Sequence, residues 1–243
     1  SNDFEEERDV PTFGVGNVDF GDLEGAGSSG VAPNNGFNAA GYINYFDVTL
    51  DAAGTTTADI DVEIDALTLA NADATLAIND DVTFLALVDT QIGQGTLDVG
   101  GVFASRDILN FGLITGRDGT IVTDTLFNAG TLTAGTGLTV DGDLVLTSAS
   151  TLLYEGNAID VVVDVSLDGQ VSGVKFGDTG TLLTFTGSRV GNFSVNAPGV
   201  LELAYVYNAG TVTFEVIAND YETQFGGTGS ANSFAIGGLL DGL

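Results

Sequence analysis

Cysteine, histidine, methionine and tryptophan are all absent from the 243 residues of this chain. Without cysteine the chain can form no disulfide, no zinc–thiolate site and no cysteine nucleophile. Without histidine it lacks the commonest general base and the commonest transition-metal ligand, which excludes Ser-His-Asp and Cys-His catalysis in their usual forms. These absences predict a protein that is not an enzyme.

Positive charge is almost missing as well. Against 34 acidic residues the chain has 5 basic ones, so that its formal net charge is −29 at pH 7. Nucleic acid is not expected as a partner, because phosphate neutralisation needs clustered Lys and Arg. Anionic membrane surfaces are disfavoured for the same reason. The basic residues are Arg8, Arg106, Arg117, Lys175 and Arg189.

Long hydrophobic runs are also absent. No apolar run approaches the roughly 20 residues that a membrane-spanning helix needs, so no span is expected within this chain. The hydrophobic fraction is nevertheless 44%, which is ample for a continuous core. A sequence without methionine that begins at Ser1 favours a processed protein.

The composition divides the chain into three segments. Residues 1–41 contain the acidic cluster Glu5–Glu7, two of the three prolines and many glycines, which predicts an extended arm. In residues 42–218, short stretches of aliphatic residues alternate with Thr, Asp and Ser, as in Leu138–Leu146. This period of two predicts half-buried strands. Residues 219–243 are predicted to be a Gly-rich C-terminal cap or linker.

Internal repetition bears on the choice between a solenoid and the sandwich or barrel that short strands would also suit. A unit of Gly, Thr and an aliphatic residue recurs through the body, and the stretch Phe127–Thr133 is echoed by Tyr207–Thr213. In a solenoid each coil turns sharply at Gly or Asn and then starts a strand whose aliphatic side chains enter a stacked core. The repetition therefore favours the solenoid over a sandwich or barrel.

The same repeat predicts which residues have structural roles. Gly130 and Gly210 occupy its turn position, and Asn128 and Asn208 are predicted to belong to a ladder of side-chain amides between successive coils. Aromatic residues at core-like spacing are predicted to stack inward rather than to form a carbohydrate platform. These aromatic residues are Tyr42, Tyr45, Phe46, Phe84, Phe103, Phe111 and Phe127.

Carboxylates are the remaining candidates for chemistry. A glycosidase needs two carboxylates that flank a cleft, and no acidic pair here stands out from the others. Calcium is the better-suited ligand, because hard oxygen donors at turns bind it, and it is the only cofactor expected. The predicted calcium ligands are Asp80, Asp81, Asp141 and Asp143, and the alternative is that these residues form ordinary Asx turns.

Several stretches resemble the passenger regions of bacterial autotransporters. The stretch Gly130–Leu146 looks like passenger rungs near the membrane, and Phe176–Thr186 is similar to the segment that follows them. Val212–Tyr221 resembles the final passenger strand, and Ser230–Asp241 is similar to the short helical stretch after it. The resemblance implies an all-β fold, a right-handed parallel β-helix with an extended N-terminal arm and a short C-terminal Gly-rich or helical tail.

Fold and resemblance together predict a non-catalytic structural or adhesive module, outside the cell or on the outer surface of a Gram-negative bacterium. Unpaired strand edges at the ends of a solenoid predict self-association, either end to end or through the N-terminal arm. Glycans or a host surface are further expected contacts. Two alternatives stay open: an enzyme of the β-helix type that acts on polysaccharides, and a segment of a phage or virus fibre.

Overall fold

A computed structural model describes residues 8–9, 45–194 and 201–218 of the chain. These residues form strands and turns without any helix, as the sequence predicts. Accordingly, no membrane-spanning helix is found among them. Most of the predicted arm and the whole of the predicted C-terminal segment 219–243 lie outside the described residues.

The described strands wind into a parallel β-solenoid of about 7 turns, which confirms the predicted fold class. Each turn gives one strand or strand pair to a long sheet and one strand to a short sheet. The right-handed sense of the coil stays a prediction. The strands are β1 (Arg8–Asp9), β2 (Tyr45–Leu50), β3 (Gly54–Ala58), β4 (Val62–Leu69), β5 (Ala74–Ile78), β6 (Thr83–Ile92), β7 (Thr96–Val99), β8 (Val102–Asn110), β9 (Leu113–Gly116), β10 (Gly119–Asn128), β11 (Thr131–Thr133), β12 (Leu138–Leu146), β13 (Thr151–Leu153), β14 (Ile159–Val161), β15 (Val165–Leu167), β16 (Gln170–Ser172), β17 (Thr179–Phe185), β18 (Arg189–Gly191), β19 (Leu201–Asn208) and β20 (Thr211–Ala218).

The core is a column of aliphatic side chains that point inward from both sheets. On the short sheet the strand centres align in register, so that Leu97 lies between Leu76 and Ile114 of the neighbouring turns. All three are at most 1% exposed. Full burial of one such side chain is worth about 1.5–3 kcal/mol, and a one-residue slip of register would turn a whole strand inside out. The alternation of apolar and polar residues therefore fixes the register.

The two sheets differ in regularity. In the long sheet, the pairing of β4 with β6 shifts register between Ile64 and Ala66, and the pairing of β6 with β8 shifts between Ala86 and Asp89. The pairing of β10 with β12 shifts between Val122 and Thr125. Gly142 lies at that last irregularity with a φ of 157°, and a Cβ atom there would be 1.9 Å from the carbonyl oxygen of Thr123. The pairings within the short sheet run without such a shift.

The parallel coils end at β18, and an antiparallel hairpin closes this end of the solenoid. Strand β20 pairs antiparallel with β17, and β19 pairs antiparallel with β20. Val212 and Phe214 of the hairpin are at most 3% exposed, and Phe214 packs edge to face on Tyr154 with ring centroids 4.7 Å apart. The hairpin thus covers the apolar column where the last coil would leave it open.

Part of the predicted aromatic stacking is wrong. Phe84 and Phe103 do stack inside the core, with ring centroids 5.7 Å apart. Phe111 and Phe127, however, are 50% and 39% exposed. Phe127 has the outward phase of β10, where its neighbours Leu126 and Asn128 point inward, so the alternation of the strand overrides the aromatic spacing.

Candidate functional site

Asp80 and Asp81 follow β5 at the turn into the long sheet. The carboxylate of Asp80 accepts a hydrogen bond from Nη1 of Arg117 at 2.8 Å. Asp81 has a φ of 66°, a left-handed conformation that Asp and Asn tolerate better than most residues. An ion pair and a strained turn thus occupy the first pair of predicted calcium ligands.

Arg117 joins three consecutive turns of the solenoid. Besides Asp80, it donates from Nη2 to the carbonyl oxygen of Ile78 at 3.0 Å, and its Nε lies 3.6 Å from Oδ2 of Asp98. Asp80, Asp98 and Arg117 belong to or follow the second, third and fourth strands of the short sheet. We call this arrangement the Arg117 clasp. The sequence signal for it is the scarcity of cations, which makes each one a strong attractor of carboxylates.

Asp141 and Asp143 lie on β12. Asp141 is exposed on the outer surface, beside Val122 of the preceding turn. Asp143 accepts a hydrogen bond from the backbone amide of Asp164 at 3.2 Å, and Asp164 in turn accepts one from the amide of Ser188 at 2.5 Å. The carboxylates of Asp143 and Asp164 thus each accept a hydrogen bond from the backbone of the following turn, a role that the sequence did not predict.

Within the part of the chain that the structure describes, no three His, Cys, Asp or Glu residues come together as a metal-binding group. The two predicted pairs belong to different turns: Asp80 and Asp81 lie between β5 and β6, whereas Asp141 and Asp143 lie on β12. Calcium binding at Asp80, Asp81, Asp141 and Asp143 therefore stays a prediction.

Asn110 and Asn128 form a buried amide pair between the fourth and fifth turns. Nδ2 of Asn110 donates to Oδ1 of Asn128 at 2.5 Å and to the carbonyl oxygen of Thr131 at 3.1 Å. Nδ2 of Asn128 donates to the carbonyl oxygen of Gly130 at 3.2 Å, and both asparagines are 0% exposed. The amides thus replace the main-chain partners that the chain loses as it turns between the sheets.

Gly130 and Gly210 have different surroundings despite their equivalence in the sequence repeat. A Cβ atom on Gly130 would lie 2.3 Å from the carbonyl oxygen of Gly112, so stacked turns leave no space there. Gly210 has a φ of 82° in the tight hairpin turn between β19 and β20. Asn208 pairs with Thr211 across that turn and is exposed. The repeat therefore marks one coil turn and one hairpin turn.

The outer surface of the short sheet carries two straight rows of side chains, which we call the hydroxyl face. Alternation places the first and third residues of the central strand segment outward and the middle residue in the core. Eight of these 14 positions are threonine, and one of the eight, Thr133, is only 2% exposed. The first row is Thr55, Thr75, Thr96, Leu113, Thr131, Thr151 and Gln170, and the second row is Thr57, Ala77, Asp98, Thr115, Thr133, Leu153 and Ser172.

Charge is nearly excluded from the hydroxyl face. Asp98 is its single charged member, and that carboxylate is within 3.6 Å of Nε of Arg117. The outward positions of the long sheet, by contrast, include Asp89, Asp107 and Asp141. The neutrality of the hydroxyl face is therefore a local feature against a strongly acidic background.

An aromatic cluster lies under the closing hairpin. The ring of Phe193 is 5.5 Å from that of Tyr205, and the guanidinium carbon of Arg189 is 4.4 Å from the ring centroid of Tyr207. Burial, with a smaller contribution from Tyr207, raises the pKa of Tyr205 above its ordinary value. Burial also raises the pKa of Tyr207. Two smaller effects lower it: the backbone amide of Phe193 donates a hydrogen bond to the Tyr207 hydroxyl, and the positive charge of Arg189 is nearby.

Comparison of the chain with the known protein families, with curated proteins and with solved structures gave no match.

Proposed function

We propose that this chain is a non-catalytic structural module of the exterior of a Gram-negative bacterium, related in design to the stalks of autotransporter passengers. The observation that supports this proposal is the in-register parallel stacking of about 7 turns over one aliphatic column. In such an array each turn is stabilised mainly by its neighbours, so the column resists bending and local opening.

The dimensions suit a spacer. Coils stack at about 4.8 Å, so the described turns extend for about 34 Å along the axis. The acidic exterior keeps such a spacer soluble and repels other copies of itself, which is useful where many copies crowd a cell surface. Adhesion through a glycan or a host surface is a finer form of the same proposal.

The two ends of the solenoid favour a module that is closed on its own chain. At the first turn, Arg8–Asp9 pairs in parallel with Tyr45–Phe46 of the same chain. At the last turn, the hairpin of β19 and β20 covers the core. Closed ends protect the unpaired strand edges that otherwise invite uncontrolled association.

The proposal is tested by placing the chain between a reporter domain and a translocating outer-membrane barrel in a Gram-negative host. The reporter at the surface is measured by antibody binding and by its sensitivity to added protease. Ile121→Asp puts a charge at a 0% exposed core position, whereas its neighbour Val122→Asp puts the same charge at a 39% exposed position. We expect Ile121→Asp to abolish both cooperative unfolding and surface display of the reporter, and Val122→Asp to preserve both.

Equal display of the reporter with both variants, when Ile121→Asp is shown by circular dichroism to be unfolded, would contradict the proposal. In that case the folded solenoid would not be what presents the reporter.

A further inference from the structure

The hydroxyl face combines four properties that the proposed stalk role does not require. It is free of register shifts, it is built mostly of threonine, it is almost uncharged, and it has two rows that run the full length of the short sheet. From these properties we propose that the hydroxyl face binds the surface of ice.

The spacing of the side chains supports the match. Neighbouring strands are about 4.8 Å apart, and residues two positions apart on one strand are separated by about 6.6 Å. The first distance is close to the repeat of water oxygens along one axis of hexagonal ice, and the second approaches its repeat along the perpendicular axis. A parallel sheet without register shifts repeats this arrangement of side chains over several turns, which a crystal surface requires and a dissolved ligand does not.

Threonine is the residue type that such a surface needs. Its β-branched side chain has few χ1 rotamers on a strand, so hydroxyl and methyl groups are held in place before binding at little entropic cost. Thr75, Thr96 and Thr115 make no side-chain hydrogen bond to another described residue, which leaves their hydroxyls for water. From the fifth strand onward internal bonds intervene. Thr133, which is 2% exposed, donates to Glu155 at 2.7 Å and accepts from the amide of Gly135 at 3.2 Å, and Thr151 accepts from Gln170 at 3.3 Å.

The low charge of the hydroxyl face also favours ice as its ligand. An ionised carboxylate orders water around itself in a pattern that does not fit the ice lattice, and its dehydration is costly. The one carboxylate in the two rows, Asp98, is directed to the Arg117 clasp at the edge of the sheet. A chain of net charge −29 thus presents one surface on which water is arranged by neutral hydroxyl and methyl groups.

Other partners fit the hydroxyl face less well. It has no aromatic side chain on which a sugar ring could stack, and the cation beside it, Arg117, is already paired with Asp80 and Asp98 rather than left for phosphate or an anionic lipid. A second copy of this chain would bury roughly 300–400 Å² on each side, because the face measures roughly 30 Å by 10 Å. That total is well below the 1,200–2,000 Å² or so of stable protein interfaces.

The test measures thermal hysteresis of the full chain in a nanolitre osmometer, together with adsorption of the fluorescently labelled chain to a single ice crystal. Thr131→Tyr places a bulky ring at the fifth of the seven positions in the first row. Thr139→Tyr is the matched control, because Thr139 is an outward threonine of the long sheet on the next turn, with similar partial exposure. Thr96→Lys adds a charge to the first row in place of a ring, and it is the second test variant if Thr131→Tyr does not fold.

We expect thermal hysteresis and ice adsorption from the unchanged chain and from Thr139→Tyr, and a several-fold loss of both with Thr131→Tyr and with Thr96→Lys at unchanged melting temperature. Absence of hysteresis and adsorption in the unchanged chain would overturn the proposal. So would equal effects of Thr131→Tyr and Thr139→Tyr. A concentration-dependent dimer that Thr131→Tyr dissociates, without any effect on ice, would make the face an interface between copies and also overturn it. Each of these outcomes leaves the stalk proposal intact, because that proposal depends on the core.

Discussion

Tyr205 shows at the residue scale how burial couples stability to pH. Its hydroxyl is buried and has no hydrogen-bond partner among the described residues. Its pKa is raised in the folded chain, so the folded state keeps a proton that the unfolded state releases above about pH 10. The unfolded state then binds fewer protons than the folded state, and stability falls as pH rises.

We therefore expect the free energy of unfolding of the unchanged chain to fall steeply above about pH 10. Tyr205→Phe should weaken this dependence and leave stability at pH 7 equal or higher by about 1 kcal/mol, because it removes a buried hydroxyl without a partner. Urea unfolding between pH 7 and pH 11 measures both quantities. A variant that keeps the full alkaline loss would show that another group is responsible.

The buried amide pair of Asn110 and Asn128 is a second feature of this scale. Asn128→Ala leaves Nδ2 of Asn110 with one acceptor fewer in the core, and we expect a loss of about 2 kcal/mol in the free energy of unfolding. The exposed Asn208→Ala should change it by less than about 0.5 kcal/mol. The double variant Asn110→Leu with Asn128→Leu should cost less than the two single changes added together, since Ile92 and Leu146 occupy the same inward position on the neighbouring turns.

At the scale of elements, the Arg117 clasp connects strands that are not neighbours in sequence. The side chain of Arg117 is 41% exposed, so the ion pairs of Arg117 are partly screened by solvent. We expect Arg117→Ala to lower the free energy of unfolding by about 1 kcal/mol at low salt and by less in 1 M NaCl, where screening is strong. Arg106→Ala is the control. It removes the same charge, and among the described residues Arg106 forms an ion pair only with the adjacent Asp107. Equal losses from both changes would mean that net charge alone is responsible.

The contrast between the sheets also belongs to this scale. Alternation alone predicts that each strand has one buried and one exposed side, and that is observed on both sheets. Packing decides which strands stay regular. The long strands bend around the core, and a strand bends where its register shifts. The hydroxyl face exists only because the short strands need no such bend.

For the whole molecule, the net charge of −29 predicts that divalent cations matter. We expect millimolar calcium to raise the melting temperature relative to a chelator, and to do so more than magnesium at matched ionic strength. Screening of charge is common to both ions, whereas a site made of Asp141 or Asp143 favours calcium. Asp141→Asn together with Asp143→Asn should remove the difference between the ions. Identical melting curves in calcium, magnesium and chelator would refute the predicted site.

Self-association is the second property of this scale. Removal of residues 1–41 takes away the strand that pairs with Tyr45–Phe46 and exposes the edge of the first turn. We expect the shortened chain to form oligomers or fibres more readily than the full chain, as measured by analytical ultracentrifugation and electron microscopy. Loss of assemblies that the full chain forms would instead mean that the arm bridges neighbouring copies.

The sequence alone determined the local features of this protein. The alternation in stretches such as Leu138–Leu146 was sufficient to predict half-buried strands, because strand period is a local property, whereas the preference for a solenoid over a sandwich or barrel needed the internal repeat. The missing cysteine, histidine and cations were equally sufficient to restrict the chemistry, since no fold can supply an absent side chain. The repeat that contains Asn128 and Asn208 was not sufficient to tell a coil turn from a hairpin turn.

Tertiary structure decided everything that depends on which turns become neighbours. Residues about 20 positions apart meet only when the coils stack, and their offset varies from turn to turn with the length of each corner. The partner of Asn128, the contacts of Arg117 and the alignment of threonines into two rows all follow from that offset. A strand pattern specifies which side chains point outward, but only the register between turns places them side by side.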